Sequence, residues 1–249
     1  MSPLPSVLVV HAHPEPASIT SLLKDAFVDE LTRRGHQVAV SDLYADGFVP
    51  TVTRQDFVKQ AHKQHFWVLE EQQHASDHDG FAADIDEQIT RVRSSDVVVL
   101  SFPLWWYSVP AILKGWIDRV FVQGFAFTAN DTFSRGPLTG KSAMLMLTAG
   151  YGPKDFGPDG TSGDLSILLH HLQYGTFAYT GMRVLPMFTA MEADSADAAR
   201  LAAWEVTVRR RARTLATTEP LTLRPLSFER DVRGEATAAI TRPMDPPSH

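Results

Sequence analysis

Three stretches of this chain carry residue types that do chemistry. The first is Pro103-Leu104-Trp105-Trp106-Tyr107-Ser108, which follows the most apolar run in the chain, Val97 to Phe102. Three consecutive aromatic rings at the end of a buried run are costly to leave in water and call for a flat, apolar partner. The second is Thr148-Ala149-Gly150-Tyr151-Gly152, continued by a glycine-rich segment from Phe156 to Gly160. Glycines let backbone amides approach a ligand closely, and N–H groups aimed at a redox ring stabilise the negative charge it gains on reduction. An isoalloxazine is such a ring. The third stretch runs from His11 to Thr20 and opens onto a helical pattern. Hydroxyls and free N–H groups at a helix N-terminus suit a phosphate or pyrophosphate. Taken alone, this third loop reads better as a simple cap by Ser18. His11 and His13 invite a metal, but no carboxylate is placed to complete a site, and a hydrogen-bonded surface histidine is the commoner case.

The elements that position these loops are legible in the periodicity. Continuous apolar runs at Ser6–Val10, Gln37–Asp42, Val97–Phe102, Ser142–Leu147 and Met182–Met187 read as strands buried on both faces. Between them lie helical patterns. Leu23, Phe27 and Leu31 mark a helix from Ser18 to Arg34 ended by Gly35, and Ile85, Ile89 and Val92 mark another. Pro110–Phe121, Leu165–Gln173 and Ala196–Leu215 complete the set. Strands alternating with helices imply a parallel α/β sheet covered on both faces. Five strands fit a flavodoxin-like order, 2-1-3-4-5, in which ligands bind beyond the carboxyl ends of the strands. All three chemical stretches follow strands at that edge. The segment from Tyr44 to Gly80 breaks the alternation and reads as a long excursion with some helix. Residues 1–221 are expected to form one domain, with an irregular tail over 222–249.

Composition narrows the function further. In 249 residues, 44% are hydrophobic and 21% charged, as in ordinary soluble domains. The net charge of −6 and the short basic runs, Arg33-Arg34 and Arg209 to Arg211, argue against a nucleic-acid surface. No apolar run approaches the ~20 residues that cross a bilayer. The chain has no cysteine, which excludes disulfides and thiolate chemistry and fits the reducing cytoplasm. Neither GxGxxG nor the Walker lysine motif is present.

The run Phe102-Pro-Leu-Trp-Trp-Tyr-Ser-Val-Pro-Ala-Ile-Leu-Lys-Gly-Trp-Ile-Asp-Arg-Val-Phe121 resembles the strand-three loop and following helix of the NAD(P)H:quinone oxidoreductases of DT-diaphorase type. AHPEPAS near the start and SDLYADGFVP at Ser41 to Pro50 are similar to further segments of that family, and the resemblance spans about Val7 to Pro220. It implies FAD, or FMN as in smaller bacterial relatives, reduced by NAD(P)H and reoxidised by a quinone in a ping-pong cycle, in a cytoplasmic homodimer. Carried over by position, His13, Ser18, Ile19 and Thr20 would meet the ribityl and phosphate portion. Pro103, Leu104, Trp105, Trp106 and Tyr107 would line the isoalloxazine. Thr148, Ala149, Gly150 and Tyr151 would contact its pyrimidine side, and Arg200 the adenine end. Trp106, Phe127, Ala129, Phe156 and Tyr179 would form the acceptor pocket.

The departures from the family pattern fall in the same loops. Its Tyr/His relay is replaced by Phe156 and Ser162, and two pocket tyrosines by Phe127 and Ala129. Phenylalanine cannot donate a hydrogen bond and serine cannot become a cation near neutral pH. Charge relay at Phe156 and Ser162 would then fall to backbone donors or to Tyr151, behind a more apolar pocket. The alternative is a redox-sensing or regulatory subunit with little turnover of its own.

Overall fold

The computed structural model describes residues 4–157 and 160–225. Its centre is a parallel sheet in the order β2-β1-β3-β4-β5, with β6 also paired to β4. Strands β1 (Val7–His11), β2 (Val38–Asp42), β3 (Val97–Pro103) and β4 (Ser142–Ala149) run where the apolar sequence places them. In β1, β3 and β4 every residue is buried, because helices cover both faces. On one face Leu8, Val10, Leu100 and Phe102 pack under α3 (Ala83–Ser94) and α4 (Ala111–Val120), with Trp116 wholly enclosed. On the other, Val7, Val9, Val99 and Met144 meet α1 (Ile19–Arg33) and α7 (Ala198–Thr214). Each enclosed side chain of this size contributes about 1.5–3 kcal/mol. Gly35 ends α1 at φ 89°, the left-handed conformation that a helix stop of this kind requires. Helices α1 and α7 are locked by Glu30, which takes Arg213 Nε at 2.7 Å and also pairs with Arg33; these partners hold its carboxyl down at about 2.

The expected fifth strand is split. Arg183–Val184 (β5) and Phe188–Met191 (β6) both pair with β4, but β4 advances from Ala143 to Met146 while the edge advances from Val184 to Phe188. One extra residue therefore bulges out around Pro186, which has no N–H to give a ladder. The expected single helix Leu165–Gln173 is likewise broken. It consists of α5 (Leu165–Leu168), α6 (His170–Leu172) and a π-helical turn, Gln173–Ala178. There the Thr176 hydroxyl bonds the His171 carbonyl, and side-chain competition of this kind disfavours a regular helix.

The excursion between β2 and α3 contains a helix of its own, α2 (Val68–His78). Its buried Glu71 carboxylate accepts the N–H groups of Ala61 and His62, and Gln72 bonds around the end of α4. The rest of the excursion is fixed by Arg119 on α4. Its guanidinium reaches both Asp56 carboxylate oxygens at 3.0 Å, Asp84 at 3.1 Å and the Val49 carbonyl at 2.6 Å, and lies over Phe48. Gly115 lets Pro50 rest directly on the α4 backbone, where a Cβ would overlap the proline. Of the expected irregular tail, residues 226–249 lie outside the described residues; Leu221 just before it donates its N–H to Val184.

Removing one partner of a buried ion pair strands the other charge in a low dielectric, at a cost of about 3–5 kcal/mol. Asp56→Ala is accordingly expected to lower the unfolding free energy by about that much in urea melts. A loss under about 1 kcal/mol would show that Asp84 alone neutralises Arg119.

Candidate active site

Because β1, β3, β4 and β6 run parallel, their carboxyl ends converge, and a cleft of about 240 Å³ opens there. It is lined by His13, Ser18, Ile19 and Thr20 after β1, by Pro103, Leu104 and Trp105 after β3, and by Thr148, Ala149 and Gly150 after β4. The three stretches singled out in the sequence thus share one cavity. Ala193 and Asp194, after β6, complete it and were not foreseen. Their only signal was position, a polar loop following the last strand at the same edge.

The cleft is furnished with unengaged donors. Ser18 caps α1 by accepting the Ser21 N–H, as the plain reading of that loop expects, while its side chain also faces the cavity. Among the described residues no hydrogen bond uses the N–H of Ile19, Thr20, Trp106, Tyr107, Gly150 or Tyr151. Thr20 and Thr148 join their hydroxyls at 2.7 Å beneath the cleft, tying α1 to β4. Gly150 lies against the Asp194 carboxylate, which would have to swing aside to admit a Cβ there. Among the described residues no Lys or Arg lines the cavity.

The aromatic stretch forms a tight turn. Trp105 and Ser108 exchange backbone hydrogen bonds at 3.1 and 3.0 Å, and between them Trp106 and Tyr107 both adopt positive φ, 50° and 58°. These are the dihedral signs of a hairpin turn that normally takes Asn-Gly. Bulky residues there cost of order 1–3 kcal/mol each, a strain typical of functional sites. The turn lifts Trp106 into solvent at 96% exposure, with Trp105 and Tyr107 about half that. Of the three, Trp105 lines the cleft, whereas Trp106 and Tyr107, next in the chain, are not part of its lining.

The remaining expected site residues divide. Phe156 is buried, its ring edge-on to both Tyr107 and Tyr151 at 6.4 Å, and the Ser162 hydroxyl lies 3.4 Å from that of Tyr107. Phe127 and Tyr179, 5.7 Å apart, instead line a groove of about 390 Å³ with Val68 and Ile117; Ala129 is exposed. That groove shares no residue with the cleft, so one chain does not assemble the whole expected acceptor pocket. Arg200 does not reach the cleft: it pairs with Glu192 and lies over Trp204. His11 is not a surface histidine. It is the last residue of β1, wholly buried, with Nδ1 3.2 Å from Ser101 Oγ and Nε2 3.1 Å from Ser21 Oγ. Burial pushes it down to about 4, against the opposing pull of Asp42. His13 is fixed differently, its Nδ1 accepting the Glu15 N–H at 3.0 Å.

The match to a family model described as a flavodoxin-like fold covers residues 5–211, which sets the class of α/β protein. Among curated relatives, the ribosyldihydronicotinamide dehydrogenase (quinone) of Homo sapiens is 42% identical over 180 residues, 72% of this chain and 78% of the relative. NAD(P)H dehydrogenase (quinone) 1 of Cavia porcellus is 37% identical over 186 residues, 74% and 68% of the two chains. A solved Klebsiella pneumoniae protein proposed to be a quinone reductase superposes with TM-score 0.85 at 34% identity, covering 89% of this chain and 88% of that one. The chain belongs to the flavodoxin-like NAD(P)H:quinone oxidoreductase family and is an oxidoreductase.

Two measurements check the site. His11 stays neutral in the native state down to about 4, whereas the unfolded chain takes up a proton near 6.5. Its contribution therefore falls as pH drops from about 6.5 to 4, by roughly 3 kcal/mol in total. His11→Gln should flatten the pH dependence of unfolding in that window relative to wild type; parallel curves would refute the assignment. At the turn, Trp106→Asn with Tyr107→Gly should raise the melting temperature by relieving strain, and an unchanged or lower value would show that the turn is not strained.

Proposed function

We propose that this protein is a flavin-dependent NAD(P)H:quinone reductase that binds FAD at the carboxyl edge of its sheet and works by a ping-pong cycle. The observation that carries this is the cleft itself: unengaged N–H groups from the loops after β1, β3 and β4, beside an exposed tryptophan pair. The donors on Ile19 and Thr20 face a helix N-terminus and suit a pyrophosphate. Those on Trp106, Tyr107, Gly150 and Tyr151 suit the heteroatoms of a flat ring, and Trp105 supplies a stacking face. When bound, a flavin supplies two-electron chemistry between nicotinamide and acceptor. Among the described residues no Lys or Arg lines the cleft and the Asp194 carboxylate does, so it suits a pyrophosphate, with one charge on each phosphorus, better than a terminal phosphate with two on one. That favours FAD over FMN, although more distant structural relatives include an FMN-bound azoreductase from Bacillus anthracis at 15% identity and TM-score 0.62, which carries the fold only.

In this reading His13, Ser18, Ile19 and Thr20 hold the ribityl and phosphate chain. Pro103 to Tyr107 hold one side of the ring, and Thr148 to Tyr151 the other. Phe127 and Tyr179 complete the acceptor pocket through a homodimer in which the groove of one copy closes over the cleft of the other. The open groove, separate from the cleft in the single chain, supports this arrangement. The buried, donor-free Phe156 favours a second reading, a redox-sensing subunit with slow turnover.

Purified protein is expected to be yellow, to prefer FAD over FMN on reconstitution, and to bleach under anaerobic NAD(P)H. Trp105→Ala should weaken flavin retention by about 1–3 kcal/mol, the range found for stacking on aromatic side chains. Colourless protein that ignores both flavins would overturn the assignment, and quinone-dependent NAD(P)H oxidation no faster than free flavin would favour the sensing role.

A further inference from the structure

The family-like relay positions are Phe156 and Ser162, yet the same corner of the molecule contains a phenol that the relay account does not use. Tyr107 sits on the strained turn directly after the rings at the cleft, at φ 58°. Its hydroxyl lies 3.4 Å from Ser162 Oγ, a long bond of the kind that shortens when a ligand arrives. Its ring is held edge-on by Phe156, which in turn meets Tyr151. The turn is fixed from its far end as well: Ser108 Oγ is 3.1 Å from His171 Nε2, and His171 Nδ1 is 3.0 Å from the Leu168 carbonyl. With Nδ1 donating to that carbonyl, Nε2 accepts from Ser108 and the turn is strapped to α6. A phenol is thus placed two residues beyond Trp105 of the cleft lining, half exposed, with a second hydroxyl beside it that can both accept and donate.

We infer that Tyr107 is the group that protonates the carbonyl oxygen of the bound acceptor, with Ser162 as the hydroxyl that returns the proton. The inference rests on the quinone-reductase reading above. Reduction of a quinone to a hydroquinone takes two electrons and two protons. NAD(P)H supplies both electrons and one proton as a hydride equivalent. The second proton comes from Tyr107: its O–H bond breaks as the new O–H bond forms on the acceptor oxygen. The resulting phenolate is reprotonated from water through Ser162, whose hydroxyl gives up one proton as it takes another. A phenol keeps its proton throughout the neutral range, so the device needs no imidazole. Tyr151 is the poorer candidate, since among the described residues its hydroxyl has no partner to return a proton. The turn strain then has a use, because an Asn-Gly pair at Trp106 and Tyr107 would relax the backbone and delete the donor.

The test uses full-length protein reconstituted with flavin, comparing wild type, Tyr107→Phe and Ser162→Ala. Without reductant, binding of 1,4-naphthoquinone and of naphthalene is followed by quenching of tryptophan fluorescence. Tyr107→Phe should raise the naphthoquinone Kd about tenfold, the loss of one hydrogen bond, and leave that of naphthalene unchanged. Its kcat with naphthoquinone should fall at least a hundredfold, the usual effect of losing a general acid. Ser162→Ala should lower kcat about tenfold with the Kd unchanged. A Tyr107→Phe protein with wild-type Kd and kcat would overturn the inference. Wild-type protein that oxidises no NAD(P)H would instead overturn the proposed function, and the ratio of naphthoquinone affinities would still decide the role of Tyr107.

Discussion

A parallel sheet sends the carboxyl ends of its strands to one edge, and at that edge the backbone runs out of partners for itself. In this protein the shortage is concentrated. The turn after β3 has positive φ at two bulky residues whose amides make no hydrogen bond among the described residues, and the start of α1 and Gly150, both lining the cleft, leave further free donors nearby. A small domain does not keep so many unsatisfied N–H groups together at no cost. Their natural complement is a ligand bearing several acceptors.

Around this edge the fold is made stiff by devices of a different kind. Arg119, enclosed and shared among Asp56, Asp84 and Val49, holds the excursion after β2 against α4; Gly115 lets that excursion lie on the helix backbone itself. Helix α4 begins at the foot of the aromatic turn, so what anchors the helix also anchors the rings. The Thr20–Thr148 bond does the same between α1 and β4 beneath the cavity floor. Strain at Trp106 and Tyr107 persists because these surroundings leave the turn no softer alternative.

Much of this was legible beforehand, for reasons that can be named. Strands buried on both faces write continuous apolar runs, so β1, β3 and β4 were readable, while half-buried β2 showed as a shorter apolar run, and Ser18 and Gly35 marked the limits of α1. The cleft was readable because three chemical stretches each followed a strand. What escaped the sequence was whatever depends on distance through space. Ser162 lies 55 residues from the Tyr107 it touches, and Asp194 enters the cavity from a loop without a motif. The burial of His11 was missed because its neighbours in the loop are polar while its own position closes a strand. The split of the last strand had a visible sign in Pro186, which was passed over. Helix α2 has few apolar residues and owes its place to buried Glu71, Gln72 and Ala75, a pattern that hydrophobic periodicity does not register.

The irregular outer strand has a bearing on how copies of the molecule meet. Sheets with bare margins invite a neighbour's backbone to continue them. Here one margin is interrupted at Pro186 and covered at Val184 by the Leu221 amide, and at the opposite margin the Arg91 guanidinium occupies the Val40 carbonyl. Each border thus has one carbonyl already taken, which hinders strand addition at that point.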